Sequence, residues 1–389
     1  MKAGDTVHGY TLLEDFRVVG AGLSEWTFAE RDGREFFLKR FLSPTYPDDA
    51  APGSAATKQR KRVRCAAFEA HHRGIQAALA PITSYGGNLI ATLDFFRDGA
   101  KYYKVTEKVD LAGLDPSGVA ELDFPVKLVL LKTVAHSLRI LHDLDIVHSD
   151  LKPSNVLIKK TELGYTTKLI DFDSSYIVGS PPPPDDIIGT MNYYSPELVR
   201  YIQGTAEAGE LTEASDVFAL GLIYSEYLTG TLPQFDPGFH EAAIAVLNGT
   251  HLQLPPGAAP QPISDLVERM LLADPSARPT IEHVHSTLMG WRSGAPTKAA
   301  PLKPPPPIIE TAGPASSLRG KGLRLVGATR RTPTNRPAPG PRLEPIPPPD
   351  PDRTPTTDTP TSTTVPGGRS GFGKLAGKLL SKLEERRSR

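Results

Sequence analysis

The chain opens with short runs rich in aromatic and β-branched residues, broken by glycine turns, and then changes to a helical apolar period. Tyr10–Val19, Trp26–Glu30 and Glu35–Phe41 are predicted strands, separated by Gly20-Ala21-Gly22 and by the turn Arg31-Asp32-Gly33. Residues 43–57, rich in Pro, Ala and Asp, predict a loop, and Gln59–Leu79 a helix with a basic start at Lys58-Gln59-Arg60-Lys61-Arg62. Two more strands, Leu89–Phe96 and Lys101–Glu107, flank a turn at Asp98-Gly99. From there Val126, Leu130, Val134, Leu138 and Leu141 recur at helical spacing. Further helices are predicted over Leu211–Leu228, His240–Leu247, Ile263–Leu272 and Ile281–Met289. A small β-rich part is thus followed by a larger helical part, an α+β plan.

Beyond Trp291 this patterning stops. Nineteen of the 39 prolines fall in residues 292–389, among Thr, Gly and Arg. Such a segment buries too little apolar surface to offset its ordering entropy, so 291–370 is predicted to be a disordered Pro/Thr-rich basic linker. The last stretch, 371–389, differs again. Phe372, Leu375, Ala376, Leu379, Leu380 and Leu383 fall on one helical face, with Lys374, Lys378 and Lys382 opposite, predicting a short basic amphipathic helix.

Composition adds two constraints. The formal net charge of zero hides an asymmetry: residues 1–290 hold 26 Lys+Arg against 37 Asp+Glu, and residues 291–389 hold 18 against 7. The tail is a basic arm on an acidic body, suited to weak contact with an anionic membrane or an acidic partner through 371–389, and no nucleic acid is expected. A single cysteine, Cys65, excludes an intramolecular disulfide and fits a reducing compartment. Residues 1–15 lack an apolar signal core, and no uncharged apolar run reaches the length of a membrane span. The expected location is cytoplasmic, with peripheral membrane contact through the tail.

The chemistry concentrates in His148-Ser149-Asp150-Leu151-Lys152-Pro153-Ser154-Asn155 and in Lys168-Leu169-Ile170-Asp171-Phe172-Asp173. A carboxylate, a lysine, an asparagine and a second carboxylate suit phosphoryl transfer. One carboxylate steers the hydroxyl proton, the lysine offsets charge on the phosphoryl, and the amide and second carboxylate hold Mg²⁺. These two stretches resemble the H-R-D-L-x-x-x-N and D-F-G motifs of eukaryotic-type serine/threonine protein kinases.

The resemblance covers about residues 10–290. It implies a two-lobed protein-kinase-like fold, with an N-lobe over about 10–109 and a C-lobe over about 110–290. It implies ATP and Mg²⁺ as cofactors and a protein Ser/Thr hydroxyl as acceptor. Asp150 is then the catalytic base, Lys152 the cation beside the γ-phosphoryl, and Asn155 and Asp171 the metal ligands. Gly20 and Gly22 stand where the family places its glycine-rich loop, with Glu25 in place of the third glycine. Lys39 stands at the strand lysine that holds the α- and β-phosphates, and Glu69 is the only acidic residue between Lys58 and Leu79 that could pair with it. Thr106 matches the gatekeeper position, and Glu107 to Val109 the hinge whose backbone bonds adenine. Gly189-Thr190 through Ser195-Pro196-Glu197 resembles G-T-x-x-Y-x-A-P-E. Glu197 is expected to pair with Arg278, and Asp216 to anchor the backbone of the loop carrying Asp150.

Four departures qualify this. Ser149 replaces the arginine that receives an activation-loop phosphate, Asp173 replaces the glycine of D-F-G, Glu25 stands by the phosphates, and Phe37 occupies the usual alanine over adenine. Ser149 and the stiff Pro181–Pro184 segment point to a loop competent without phosphorylation. Asp173 is expected to restrict Phe172 and to add a third carboxylate near the metals. Together the departures leave a nucleotide-binding pseudokinase scaffold as an alternative. The two short motifs also resemble aminoglycoside and choline kinases, but Pro196-Glu197, Asp216-x4-Gly221 and Arg278 favour the protein kinases. Thr332, Thr354 and Thr359, each before proline, are expected autophosphorylation sites within reach of the tethered active site, and so sites for phosphothreonine-reading modules.

Overall fold

A computed structural model describes residues 1–291, apart from 20–23, 49, 51, 83–86, 163 and 188. The expected linker 291–370 and helix 371–389 therefore lie outside the described residues, save Trp291. The chain starts with a hairpin of β1 (Thr6–Val7) and β2 (Tyr10–Leu12). The predicted strand Tyr10–Val19 is interrupted after Leu12, and Arg17–Val19 forms a separate β3. Both pieces pair with β4 (Ser24–Arg31), Leu12 against Ala29 and Arg17 against Trp26. β5 (Arg34–Phe41) follows, and after α1 (Ala55–Leu79) come β6 (Asp94–Asp98) and β7 (Lys101–Glu107). The sheet order is β1-β2-β4-β5-β7-β6, with β3 also on β4, and every pairing is antiparallel.

Alternation along the strands divides this sheet by chemistry. Ala29, Phe36, Leu38 and Val105 are buried in a core with Val7, Tyr10, Leu12, Phe96 and Tyr103. The register pairs Trp26 with Lys39, Phe28 with Phe37, Phe37 with Thr106 and Lys39 with Lys104. These six residues therefore share the other face. The predicted strand Leu89–Phe96 also splits: Leu89 makes a lone bridge to Leu169 and belongs to the helical core, whereas β6 begins at Asp94. Two apolar groups in one run serve two different cores, which local patterning cannot separate.

The helical part is built from α2 (Pro116–Ala120), α3 (Phe124–His142), the short β8 (Ile146–Val147), the hairpin of β9 (Val156–Thr161) and β10 (Gly164–Leu169), and β11 (Tyr176–Ile177), which pairs with β8. Then come α4 (Pro196–Ile202), α5 (Ala214–Thr229), α6 (Ala242–Leu247), α7 (Gln261–Met270) and α8 (Ile281–Gly290). Ser54, Ser195 and Thr280 cap α1, α4 and α8 by accepting backbone N–H bonds. α5 is buried around nearly its whole circumference and ends at Gly230, whose φ of +83° suits glycine. It is the central post of this lobe.

A buried ion pair fixes α4 to the loop before α8. The Arg278 guanidinium donates to both Glu197 oxygens at 2.7 and 2.8 Å, and to the carbonyls of Leu272, Ala214 and Ala273. Ser215 Oγ donates to Glu197 at 2.8 Å. Both charged side chains are essentially inaccessible to solvent. A bidentate pair with every donor matched offsets its desolvation, whereas one partner alone does not. Arg278→Leu is expected to cost about 3–5 kcal/mol in denaturant unfolding, and Glu197→Gln/Arg278→Leu to recover part of it. Equal unfolding midpoints for Arg278→Leu and the parent would refute this.

Candidate active site

The loop after β8 is shaped from behind by Asp216. Its carboxylate accepts the backbone N–H of His148 at 2.7 Å and of Ser149 at 2.9 Å, and His142 Nε2 lies 3.0 Å away. Two successive amides converge on one carboxylate because Ser149 is left-handed, with φ +71°. His148 is fully buried. Its Nδ1 accepts from the Asp150 N–H at 3.3 Å, so Nε2 carries the proton and donates to the Ile170 carbonyl at 2.9 Å. The imidazole thus ties the loop of Asp150 to that of Asp171.

Asp150 sits at the front of this loop. Lys152 Nζ donates to its Oδ2 at 2.7 Å and to Thr190 Oγ1 at 3.2 Å. The Asn155 amide donates to the Asp150 carbonyl at 2.7 Å and to its Oδ2 at 3.1 Å. Asn155 Nδ2 is thereby occupied, and Oδ1 is the atom with which Asn155 could hold a cation. Gly189 packs so close that a Cβ there would lie 2.8 Å from the Tyr194 ring and 3.2 Å from Asp150. Asp150, Lys152, Asn155 and Thr190 therefore form one cluster.

Asp171 follows β10 with φ +65°, a strained conformation for a non-glycine residue. Asp173 lies in the 3-10 turn Phe172–Ser174, so the special backbone sits at 171 rather than at the position where glycine was replaced. Lys39 Nζ reaches Asp171 at 3.1 and 3.2 Å and Asp173 at 2.7 Å. Lys104 Nζ lies 3.1 Å from Asp171 and also contacts Asp173. Burial alone would lower the Lys39 ammonium, but Asp173 and Asp171 outweigh it and raise its pKa. Burial would raise the Asp173 carboxyl, but Lys104 and Lys39 hold it well below the ordinary range.

Several expectations change here. Glu69 is not placed on Lys39: it accepts the Tyr102 hydroxyl at 2.6 Å. Tyr102 is fully buried beneath α1, and its O–H needs an acceptor that Glu69 supplies. Asp173, the third carboxylate, stands beside Asp171, and the oxygens of both meet Lys39 and Lys104. Glu25 turns to Arg40, whose Nε donates to it at 2.9 Å. Phe37 stacks on Trp26 at 5.4 Å between ring centroids, with Phe28 edge-on at 6.3 Å. Thr106 lies opposite Phe37 in the register, and half-buried Glu107 ends β7 just before Val109. Gly20 and Gly22 lie outside the described residues.

Three residues were missed from the sequence. Lys104 is two positions before Thr106, so alternation already places it on the face of Lys39. His71 and His72 gave no such signal. His71 Nε2 donates to the Asp173 carbonyl at 2.8 Å, and His72 lies 3.7 Å from the Asp173 carboxylate.

The oxygen donors suit a hard cation. Among the described residues no three His, Cys, Asp or Glu side chains form a metal site, so an ion here would rely on Asn155, Asp171, water and phosphate oxygens, as Mg²⁺ does.

The family described as protein kinase domain matches residues 78–288. Ovarian-specific serine/threonine-protein kinase Lok of Drosophila melanogaster is 33% identical over 165 residues, 42% of this chain and 33% of its own length. Serine/threonine-protein kinase PkaA of Streptomyces coelicolor is 34% identical over 166 residues, 41% and 28% respectively. Serine/threonine-protein kinase PknA of Mycobacterium tuberculosis is 27% identical over 220 residues, 55% and 48%. The matched stretch spans less than half the length of these relatives. The family match begins at Ala78, after Lys39 and Glu69.

His72 yields a pH prediction. Burial pushes its imidazole down to about 3, and Lys104, His71 and Lys39 add to this against Asp173. A depressed folded pKa means stability is fully present above the unfolded value of 6.5 and is lost as pH falls towards 3. Between pH 6.5 and about 4, above the carboxylate range, the slope should reach about 1.4 kcal/mol per pH unit for this proton. His72→Phe, which keeps an aromatic ring against Phe95, should flatten that limb in urea titrations; an unchanged slope would contradict the assignment.

Proposed function

We propose that this chain, which belongs to the protein kinase family, transfers the γ-phosphoryl group of ATP to serine or threonine hydroxyls of proteins. The observation that carries this reading is the Asp150 carboxylate, held by Lys152 and Asn155 in a loop whose backbone Asp216 grips. Mg-ATP would supply the phosphoryl group, and its cation would offset charge on the phosphate oxygens. Asp150 orients the acceptor hydroxyl and takes its proton. Lys152 bridges Asp150 and Thr190, so the cation beside the transferring group also fixes the loop that receives the acceptor. Asn155 and Asp171 hold the metal, and Lys39 neutralises phosphate charge. Adenine would be held on the face of Phe37 and Trp26, beside Thr106, with the Glu107–Val109 backbone as hinge.

A protein acceptor is supported by α4 and its Glu197–Arg278 anchor, which complete a platform beyond Gly189. The segment between Asp171 and Glu197 is supported without a phosphate: Val178 N–H donates to the Asp145 carbonyl at 2.9 Å, and Tyr201 donates to the Pro182 carbonyl at 3.1 Å. Thr332, Thr354 and Thr359 are proposed autophosphorylation sites read by phosphothreonine-binding modules. Residues 371–389 are proposed to make weak contact with an anionic membrane or acidic partner from the cytoplasm. No helix of the described residues is long and apolar enough to cross a membrane. The second reading, a pseudokinase scaffold, draws on the mutual engagement of Lys39, Asp171 and Asp173.

Two measurements test this. With γ-labelled ATP and Mg²⁺, Asp150→Asn should lose about 10²–10⁴ of the transfer rate while still binding nucleotide. Absence of label on the parent and on a generic protein acceptor, with ATP binding intact, selects the pseudokinase. Phe37→Ala should open the adenine side, raising the affinity of a bulky N6-substituted ATP analogue relative to ATP by about ten-fold, or about 1.4 kcal/mol. An unchanged ratio would show that Phe37 does not shape that pocket.

A further inference from the structure

Lys39 has an anionic partner other than the helix glutamate, and that partner has a cation of its own. Lys39 and Lys104 are register partners on β5 and β7, so their side chains leave the sheet side by side. Asp173 receives both, one on each carboxylate oxygen. Asp171 receives both as well, at 3.1–3.2 Å. The Lys104 side chain is only 5% exposed and the Lys39 side chain 16%, so neither charge is met mainly by water. Glu69 is committed to Tyr102 two positions before Lys104.

We infer that Asp173 is the residue that positions Lys39 for phosphate, and that Lys104 is the counter-charge that allows a carboxylate to stand there. The inference rests on the kinase reading given above and deepens it.

The charge count explains why the two residues come together. Lys39 and Asp171 alone sum to zero. Adding Asp173 alone leaves a buried excess of one negative charge where phosphate must bind, which both desolvation and repulsion oppose. Adding Lys104 restores balance. The pair also survives loading of the site. Were Asp171 to hold a cation, Lys39 would keep Asp173 as its anchor. In this arrangement the anchor lies in the 3-10 turn just after Asp171, so Lys39 is coupled to that turn. α1 reaches the same turn through His71, which holds the Asp173 carbonyl. The helix therefore orients the anchor rather than supplying it.

A double-mutant cycle tests this with two readouts, binding of trinitrophenyl-ATP and the kinetics of phosphate transfer. Lys104→Met keeps the volume and leaves Asp173 in excess, so nucleotide binding should weaken about ten-fold. Asp173→Asn/Lys104→Met should return it to within about three-fold of the parent. Asp173→Asn alone should leave binding as tight as the parent or tighter, because the site becomes more positive. Its kcat should nevertheless fall at least about ten-fold, because Lys39 loses its anchor after Asp171 turns to the metal. That split between kcat and nucleotide affinity is one a merely structural role would not produce. Glu69→Gln, which still accepts from Tyr102, discriminates the partner: a loss of kcat equal to that of Asp173→Asn would overturn the inference in favour of the helix glutamate. A double variant that binds nucleotide as weakly as Lys104→Met alone would overturn it too. If the parent transfers no phosphate to any acceptor, the kinase reading fails by itself, and the binding cycle still decides whether Lys104 balances Asp173.

Discussion

Two lysines leave neighbouring strands side by side, and two aspartates two residues apart meet them. This four-charge cluster joins the β-rich part to the turn after β10. Each ion is poorly exposed, so each depends on the others for charge compensation. The sheet register makes the lysines adjacent, and the Asp171 backbone, held left-handed, aims the carboxylates. The groups around this cluster are committed in turn. Glu69 turns to Tyr102, His71 holds the Asp173 carbonyl, and His72 stays neutral between phenyl rings and cations.

The helical part supplies the rigid side of the site. Asp216 stands at the start of the buried α5 and grips two amides of the loop carrying Asp150, while Arg278 and Glu197 lock α4 against the same helix. These are hydrogen bonds to buried charged groups, where losing one partner is costly and geometry is held tightly. Phosphoryl transfer depends on positioning more than on covalent chemistry, so under the proposed function such anchoring is what this fold would contribute. The family match covers this part and begins only at Ala78. In the β-rich part Trp26, Phe28 and Phe37 form an aromatic face, and Lys39 meets Asp173 while the helix carboxylate Glu69 meets Tyr102.

Much of this was legible from the chain alone, for a physical reason. Asp150, Lys152 and Asn155 lie within six residues, so one short loop has to bring them together. The helices around Val126–Leu141 and Leu211–Leu228 were marked by apolar period, and α3 and α5 occupy those stretches with shifted ends. The strand boundaries at Leu12 and Leu89 were not legible, since a continuous apolar run does not state which of two cores each residue enters.

The tertiary structure decided the partners. Lys104 could be assigned to the face of Lys39 by alternation, but its contact with Asp173 spans 69 positions and needs the register of β5 on β7 and the turn at 172–174 together. Glu69 was the sole acid in its helix and so the natural match for Lys39 by counting. The choice was made instead by a buried tyrosine hydroxyl that had to be satisfied and by a closer carboxylate at Asp173. Spacing along a chain determines which groups one loop or one face must carry. Which opposite charges meet across the fold depends on burial, because only in the assembled interior does an unpaired group become too costly to keep.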